Sequence, residues 1–477
     1  MIAAFVRDFP RRVRPCFSTI FSFRSIERMA SAEFAYSLDQ LRQIASDVLA
    51  AARAAGASDC ELTVSEGFGQ MVSVRKGDIE SIEHNRDKEL GVGIYLGQRH
   101  GYASSSDFSA KALRDSVDAA LAIARFTAED EANGLPDREL IAKRDDHGDL
   151  DLFHPWAITV DAAVDIAKRC EAAAFRLDKR ITNSEGSSVS IQQSQFISAH
   201  SAGFMGGFRS SRHYVATSVI AQEGNNMQRD DWYSSARSAA DLASPEAIGD
   251  YAGRRALARL RGQHLKTCKV PVLFEAPQAL GLIGSFIAAI SGGNLYRKSS
   301  FLLDSIGTQV FPKHIQIRED PFVPRGMASG YFDDEGVATQ ARDIVRDGVV
   351  QGYMLSVYTA RKLGMKTTGN AGGTHNLTLS HGPDDLPAML KRLGTGLFVT
   401  DLMGQGVNVV TGDYSRGAAG FWVERGVIKY PVEEITIAGN LRDMLKNIVA
   451  VGADTINRGG RVGGSILLEQ MTVAGSG

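Results

Sequence analysis

The chain has 477 residues, 44% of them hydrophobic and 23% charged, close to globular averages and unlike a fibre or a disordered polymer. Lysine plus arginine total 53 against 55 for aspartate plus glutamate, so the external field is weak and neither a nucleic-acid partner nor an anionic membrane surface is expected. The richest apolar run, Leu280 to Ile290, is too short to span a bilayer and carries Gly284 and Ser285.

At this length two domains are expected, each with its own core. Residues 1–30, with Arg7, Arg11, Arg12, Arg14, Arg24 and Arg28, read as an extension outside the fold. Either Met29 is the true start or the segment is a mitochondrial-type presequence. Residues 31–245 form the first domain and 246–477 the second. Ser37 and Gln40 have capping-box spacing ahead of Leu38, Leu41, Ile44 and Val48, which predicts a helix running to Gly56.

The period then changes to two, at Glu61 to Val64, Met71 to Val74, Ile79 to Ile82 and Val92 to Tyr95, with Lys76-Gly77 as a hairpin turn. Asp107 is expected to cap a second helix through Leu113, Val117, Leu121 and Ala124. A loop runs from Gly134 to Gly148, and a third helix covers about Val160 to Leu177. Strands return from Ser187 to Ala221, with Gly206-Gly207 as the hairpin tip. Ser244-Pro245-Glu246 supplies an N-cap, an N1 proline and an early acid for a helix through Ile248 and Leu260.

The second domain opens with a strand at Val270 to Phe274 and a helix at about Gln278 to Ile290. It then becomes rich in glycine and strand, with turns at Asp347-Gly348 and Arg425-Gly426. Both turns continue as Gly-Val-(Val or Ile) with a tyrosine just beyond, one hairpin design used twice. The fold class is therefore mixed α/β or α+β, with two domains of largely antiparallel sheet flanked by helices.

Catalytic motifs are mostly missing. No HExxH or HExxxH spacing occurs among the 10 histidines. His375 and His381 share a strand face only at roughly 20 Å, too far to chelate one ion. A turn at Gly206-Gly207 would set His200 opposite His213, at about 5 Å between Cβ atoms, but a pair without a third ligand reads as cross-strand packing.

No serine has the GxSxG frame. Gly369-Asn370-Ala371-Gly372-Gly373 and Gly404-Gln405-Gly406 lack the phosphate-cradle frames and read as tight turns. Asp333-Asp334-Glu335-Gly336 lacks calcium-loop spacing and reads first as a solvated turn closed by glycine. Asp334, Glu335 and Gly336 are the candidates for a cleft-lining turn. Four separate cysteines, Cys16, Cys60, Cys170 and Cys268, suggest reduced thiols in a cytoplasmic protein.

A series of phrases in the second half carries a resemblance: Gly292-Gly293-Asn294-Leu295-Tyr296-Arg297-Lys298-Ser299, Phe332-Asp333-Asp334-Glu335-Gly336-Val337, Thr368-Gly369-Asn370-Ala371-Gly372-Gly373, Thr411-Gly412-Asp413-Tyr414-Ser415-Arg416-Gly417 and Ile435-Thr436-Ile437-Ala438-Gly439-Asn440-Leu441. With these the chain resembles the TldE/PmbA branch of the TldD/PmbA peptidase family, from about Ser37 to the C-terminus. The resemblance implies a subunit paired with a TldD-like chain, in which an HExxxH helix and a C-terminal cysteine hold zinc for hydrolysis of unfolded or modified peptides.

Carried onto this chain, the histidine motif falls at Gly284-Ser285-Phe286-Ile287-Ala288-Ala289 and the cysteine near Arg461-Val462-Gly463-Gly464. Gly284, Ser285 and Ala289 are thus degenerate metal positions with no donor. No catalytic residue and no cofactor are expected in this chain, and zinc is expected in the TldD-like catalytic subunit. A homodimer is compatible with the same reading. The competing readings are an autonomous metallopeptidase with unusual ligands and a modulator that acts without any peptidase.

Overall fold

The structure, a computed structural model, describes residues 34–143 and 148–475. The expected extension at residues 1–30 and Cys16 lie outside the described residues.

The first helix, α1 (Leu38–Ala54), starts on the full capping box: Ser37 accepts the Gln40 amide while the Gln40 side chain accepts the Ser37 amide. The alternating segments that follow merge into two long strands, β1 (Asp59–Arg75) and β2 (Asp78–Leu96). The polar and glycine stretches between the apolar ones keep pairing, from Asp59 opposite Tyr95 to Arg75 opposite Asp78, with one irregularity at Ser73/Val74. Their turn is Lys76-Gly77, at φ 51° and 79°. Asp347-Gly348 and Arg425-Gly426 repeat these angles at 51° and 77°, and 52° and 74°. Three hairpins thus use the positive-φ pair that suits right-twisted strands.

After β3 (Arg99–Ser105) comes α2 (Ala110–Phe126). Its N-cap is Ser109 rather than Asp107. The Asp107 carboxylate accepts the Ser109 amide and hydroxyl, so it braces the cap from two residues outside. Then follow α3 (Val160–Leu177), β4 (Ile181–His200), β5 (Phe204–Gly206), β6 (Arg209–Glu223), β7 (Asn226–Ala236) and α4 (Pro245–Ala258).

The strand order is β3-β2-β1-β4-β6-β7, with β5 paired to β4. One face of this antiparallel sheet is apolar. Leu62, Val64, Val72 and Val74 of β1 and Val189, Ile191, Ile197 and Ala199 of β4 are buried with residues of α1 to α4. Residues of the opposite parity, Glu61 and His200 among them, point to the other face.

The domain break expected near Ser244 falls just ahead of α4, a helix that packs on α3, β6 and β7. Gly249 of α4 sits so close to α3 that a Cβ there would lie 1.9 Å from the Cys170 carbonyl oxygen. Gly249→Ala should therefore destabilise the protein by about 1–3 kcal/mol, despite alanine's better helix propensity, because backbone cannot move aside as a side chain can. A lowered urea midpoint at unchanged m-value checks this; an unchanged midpoint would show that the helices separate freely.

The tip expected at Gly206-Gly207 is displaced. β4 continues to His200, the chain turns through Gly203 (φ 107°), and β5 folds back with Phe204 opposite His200. Gly207 serves close packing instead, since a Cβ there would lie 2.0 Å from the Phe196 carbonyl oxygen. His213 consequently faces Ile191, while His200 faces Glu61. The two histidines do not form a pair.

The second half contains β8 (Cys268–Phe274), α5 (Ala276–Ala289), α6 (Gly292–Tyr296), β9 (Ile317–Asp320), β10 (Arg342–Arg346), β11 (Val349–Val350) and α7 (Val357–Lys362). It continues with β12 (Asn376–Leu379), α8 (Leu386–Leu393), β13 (Gly396–Met403), β14 (Asp413–Glu424), β15 (Val427–Asn440), α9 (Leu441–Lys446), β16 (Ile448–Val451), β17 (Ile456–Arg458), β18 (Arg461–Gly463) and β19 (Ile466–Ala474). One sheet, β15-β14-β13-β8-β19, closes on itself through β15–β19, with β16 beside β19; the other runs β11-β10-β9-β12-β18-β17.

The expectation of one mostly antiparallel sheet per half is thus corrected to three sheets, with parallel pairs at β8–β13 and β12–β18. α5 supplies Leu282, Ile283, Phe286 and Ile287 to a core that also takes in Phe274, Phe311, Leu377 and Ile466. No helix among the described residues is long and apolar enough to cross a membrane.

Candidate functional site

Two segments with no sequence motif of their own meet in space. α5 buries its apolar side but leaves Gly281 exposed and Gly284, Ser285 and Ala288 half-buried, a run of small side chains at helical spacing. Packed against α5 is the β17–β18 hairpin. Its Arg461 places Nη1 2.7 Å from where a Gly284 Cβ would be. The guanidinium therefore lies on the helix surface in space that a side chain at 284 would claim.

The donor set here does not fit zinc. Gly284 has no side chain, Ser285 donates its hydroxyl to the Gly281 carbonyl (3.1 Å), Ala289 is a buried methyl, and the neighbouring strand brings a cation. Among the described residues no three His, Cys, Asp or Glu side chains are gathered as a metal would need. Sequence reasoning identified Arg461 only as a missing thiolate. Its occupation of the space over Gly284 depends on tertiary packing alone.

The acidic turn Asp333-Asp334-Glu335-Gly336 is not a solvated loop. Asp333 is 3% exposed. Its Oδ1 accepts the Glu335 and Val337 amides (3.0 and 2.9 Å) and its Oδ2 the Ala371 amide (3.0 Å). Phe332, just before it, meets Phe196, Phe204 and Phe208 of the first sheet, at ring-centroid distances of 6.1, 4.8 and 5.9 Å. Gly336 adopts φ 77° and lies so close to Phe204 that a Cβ would be 2.6 Å from its ring. The closing glycine is thus required twice, by its dihedral and by the aromatic ring.

The turn faces Glu61, which accepts the Tyr95 hydroxyl at 3.1 Å and has His100 Nε2 at 3.4 Å. Burial pushes Asp333 up to about 6 and Glu335 up to about 7, against the amides that each accepts. Asp333 and Glu61 push Glu335 in the same direction. Burial likewise raises the Tyr95 phenol, reinforced by Glu61 and Glu335. Of the three cleft candidates, Asp334 is exposed, Glu335 half-buried and Gly336 buried. The glycine-rich phrase at 369–373 serves this turn: Gly372, at φ 90°, leaves room for the Asp334 carboxylate, 2.3 Å from an ideal Cβ position.

Two buried ion networks fix these pieces. Arg255 of α4 bonds Asp230 of β7 (2.8 Å), Glu275 at the start of α5 (2.6 Å) and the Thr400 carbonyl of β13 (3.2 Å). Burial opposes its charge, but Glu275 and Asp230 hold the guanidinium pKa well above its ordinary value. The second network centres on Glu319, 1% exposed, which takes Arg342 (3.0 Å), the Asn370 amide group (2.8 Å) and the His375 backbone amide (2.8 Å). Neither network shows in the sequence, because its members are distant and follow no motif.

Among the described residues the histidines and thiols carry no nucleophilic or metal constellation. His200 stacks on Phe204 and His213 bonds the His154 carbonyl (2.7 Å), and burial lowers the pKa of both. His375 and His381 sit apart, the first half-buried and the second exposed. Cys60, Cys170 and Cys268 are free; burial pushes the first two up to about 12, leaving them protonated and unreactive.

Comparison with known proteins agrees with this architecture along nearly the whole chain. The chain is 49% identical to Metalloprotease PmbA of Escherichia coli O157:H7, over 88% of its own length and 94% of that protein's. A crystal structure of a Bacteroides thetaiotaomicron protein, described as a candidate modulator of DNA gyrase, superposes with a TM-score of 0.87 at 25% identity, covering 92% of this chain and 99% of that one. TldE from Thermococcus kodakarensis shares the fold, with a TM-score of 0.79 at 19% identity over 91% of this chain and 100% of its own. The family models for PmbA/TldA metallopeptidase domain 1, the central domain and the C-terminal domain match residues 60–124, 153–260 and 267–475 in that order, and the chain belongs to this family.

Proposed function

We propose that this chain is the non-catalytic subunit of a cytoplasmic two-chain zinc peptidase acting on unfolded or modified peptides. In this reading the zinc and the hydrolytic water belong to a TldD-like partner. This subunit completes a water-restricted chamber and holds extended peptide by backbone pairing with sheet edges. The observation that carries the reading is the meeting of α5 and β18. They converge as ligand-bearing segments would, yet they offer Gly284, Ser285, Ala289 and a guanidinium in place of donors. A divalent ion needs at least three protein ligands even at an open catalytic site.

The autonomous-peptidase reading draws its ligands from unusual places such as His200 and His213, and these two lie opposite Glu61 and Ile191 rather than opposite each other. In the test, this chain and a TldD-like chain are purified separately and then mixed. Peptide hydrolysis is expected only from the mixture or strongly enhanced there, with metal analysis finding zinc in the partner. Near-stoichiometric zinc in this chain alone, or a partner that gains nothing on mixing, would sink the proposal.

A further inference from the structure

Strand β2 outruns its neighbour. β3 pairs only with residues 90–96, so residues 78–89 have β1 on one side and no strand on the other among the described residues. Ten of these twelve residues are exposed, Ile79 and Ile82 among them at 49% and 43%, while Ser81 and Lys88 are half-buried. Along this length the outward amides and carbonyls of β2 are open to a further strand.

The charges on this edge are sorted by face. Ile82, His84, Arg86 and Lys88 stand opposite Val72, Gln70, Phe68 and Glu66 and share the face of the apolar core. There the two cations are engaged with aromatic rings: Arg86 lies 5.6 Å from the centroid of Phe68, and Lys88 lies 5.0 Å from Phe108 and 5.6 Å from Tyr36. The other face carries Ser81, Glu83, Asn85, Asp87 and Glu89, three acids and no base. Asp87 accepts the Asn85 amide group (3.2 Å), and none of the three acids makes an ion pair with a described residue.

We infer that this bare edge of β2 is where the subunit takes up extended peptide, and that it selects segments carrying lysine or arginine at every second residue. The inference rests on the proposed peptide-holding role, and it names the edge and the charge that this role uses. Residues directly opposite in an antiparallel pair share a face, so a peptide strand laid here puts alternate side chains beside Glu83, Asp87 and Glu89. Its intervening residues fall on the face of Ile82. The same geometry disfavours a second copy of this chain, because two such edges would bring acid against acid. Recognition is noncovalent: backbone hydrogen bonds give the hold, and the cross-strand charge pairs give the preference.

The test uses the full-length chain and fluorescent decapeptides, acetylated and amidated at their ends, in which threonine alternates with lysine or with glutamate. Fluorescence anisotropy should show the lysine peptide binding about tenfold more tightly than the glutamate peptide. Glu83→Lys, Asp87→Lys and Glu89→Lys together should reverse that preference; all three side chains are exposed, so the variant keeps the fold. A lysine peptide methylated on its backbone nitrogens keeps its charge but has no amide to donate, and it should lose most of its affinity.

A preference left unchanged in the triple variant, or full affinity of the methylated peptide, overturns the assignment to this edge while peptide holding stands. A parent chain that sediments as a dimer, and a triple variant that sediments as a monomer, would assign the edge to a second copy instead. Lysine-peptide binding that vanishes when the TldD-like chain is added makes the edge a subunit contact and also overturns the inference. Binding of neither peptide overturns it outright, and peptide hydrolysis by the two mixed chains then decides the wider role separately.

Discussion

Arg255→Ala is expected to cost about 3–5 kcal/mol of stability, a large part of what holds a typical domain folded. The loss is mainly not that of an attractive pair. Asp230 and Glu275 have side chains 8% and 6% exposed; without the guanidinium Glu275 loses its cation, while Asp230 keeps only Arg259, whose Nη1 lies 3.4 Å away. The effect is also local in its consequences. Glu275 stands at the N-cap position of α5, Asp230 lies on β7 of the first sheet, and Thr400 lies on β13 of the closed sheet. One side chain therefore joins the two halves at the root of the helix that carries Gly284.

Urea unfolding gives the stability directly. Adding Asp230→Asn and Glu275→Gln to Arg255→Ala should recover a substantial part of the loss, because the triple variant buries no unpaired charge. A single-variant loss below about 1 kcal/mol would mean that water reaches the network on removal of the arginine.

Local structure was legible where a single residue pair dictates it. Ser37 with Gln40, Ser244 with Pro245 and the three positive-φ hairpin turns all follow from side-chain capping and backbone sterics within a few residues. Register was not legible at β4. Gly203 and Gly207 both permit a reversal, and the choice is made by Phe204 packing against Phe332 and Gly336 from the other half of the chain.

The same cause explains the acidic turn. Three carboxylates and a glycine in sequence read as solvent-facing; Asp334 is exposed, but the aromatic cluster around Phe332 draws Asp333, Glu335 and Gly336 inward. At α5 the absence of donors could be read from sequence, but the cation that replaces them could not. Arg461 lies 177 positions beyond Gly284 and reaches it through the β12–β18 pairing.

Glu335→Gln is expected to stabilise the protein at pH 8 and to leave it unchanged near pH 4.5. Glu335 sits between the Val357 amide, which its Oε2 accepts at 2.7 Å, its neighbour Asp333, Glu61 across the seam and the opposing charge of Arg361. Burial and the two carboxylates outweigh the amide and the arginine, so the folded-state pKa rises from 4.5 to about 7. Between these values the folded chain binds a proton that the unfolded chain has released. Stability of the parent therefore falls as pH rises from 4.5 through 7, and the deficit persists above 7.

A full shift of this size corresponds to about 3 kcal/mol, and screening at a half-buried site reduces it to about 1–2 kcal/mol. Asp333, pushed up to about 6, adds a second fall over the lower part of the same range. It remains in both proteins, and losing the Glu335 charge can only ease its ionisation, so it does not reverse the sign of the comparison. Glutamine keeps the size and the carbonyl acceptor for the Val357 amide but never ionises.

Thermal melts of both proteins from pH 4 to 9 should diverge above pH 5, with the variant higher by about 1–2 °C at pH 8. A variant less stable than the parent at pH 8 would reverse the assignment. The carboxylate would then be held by Val357 and Arg361 as a charged anchor for α7, and the seam would need that charge to close.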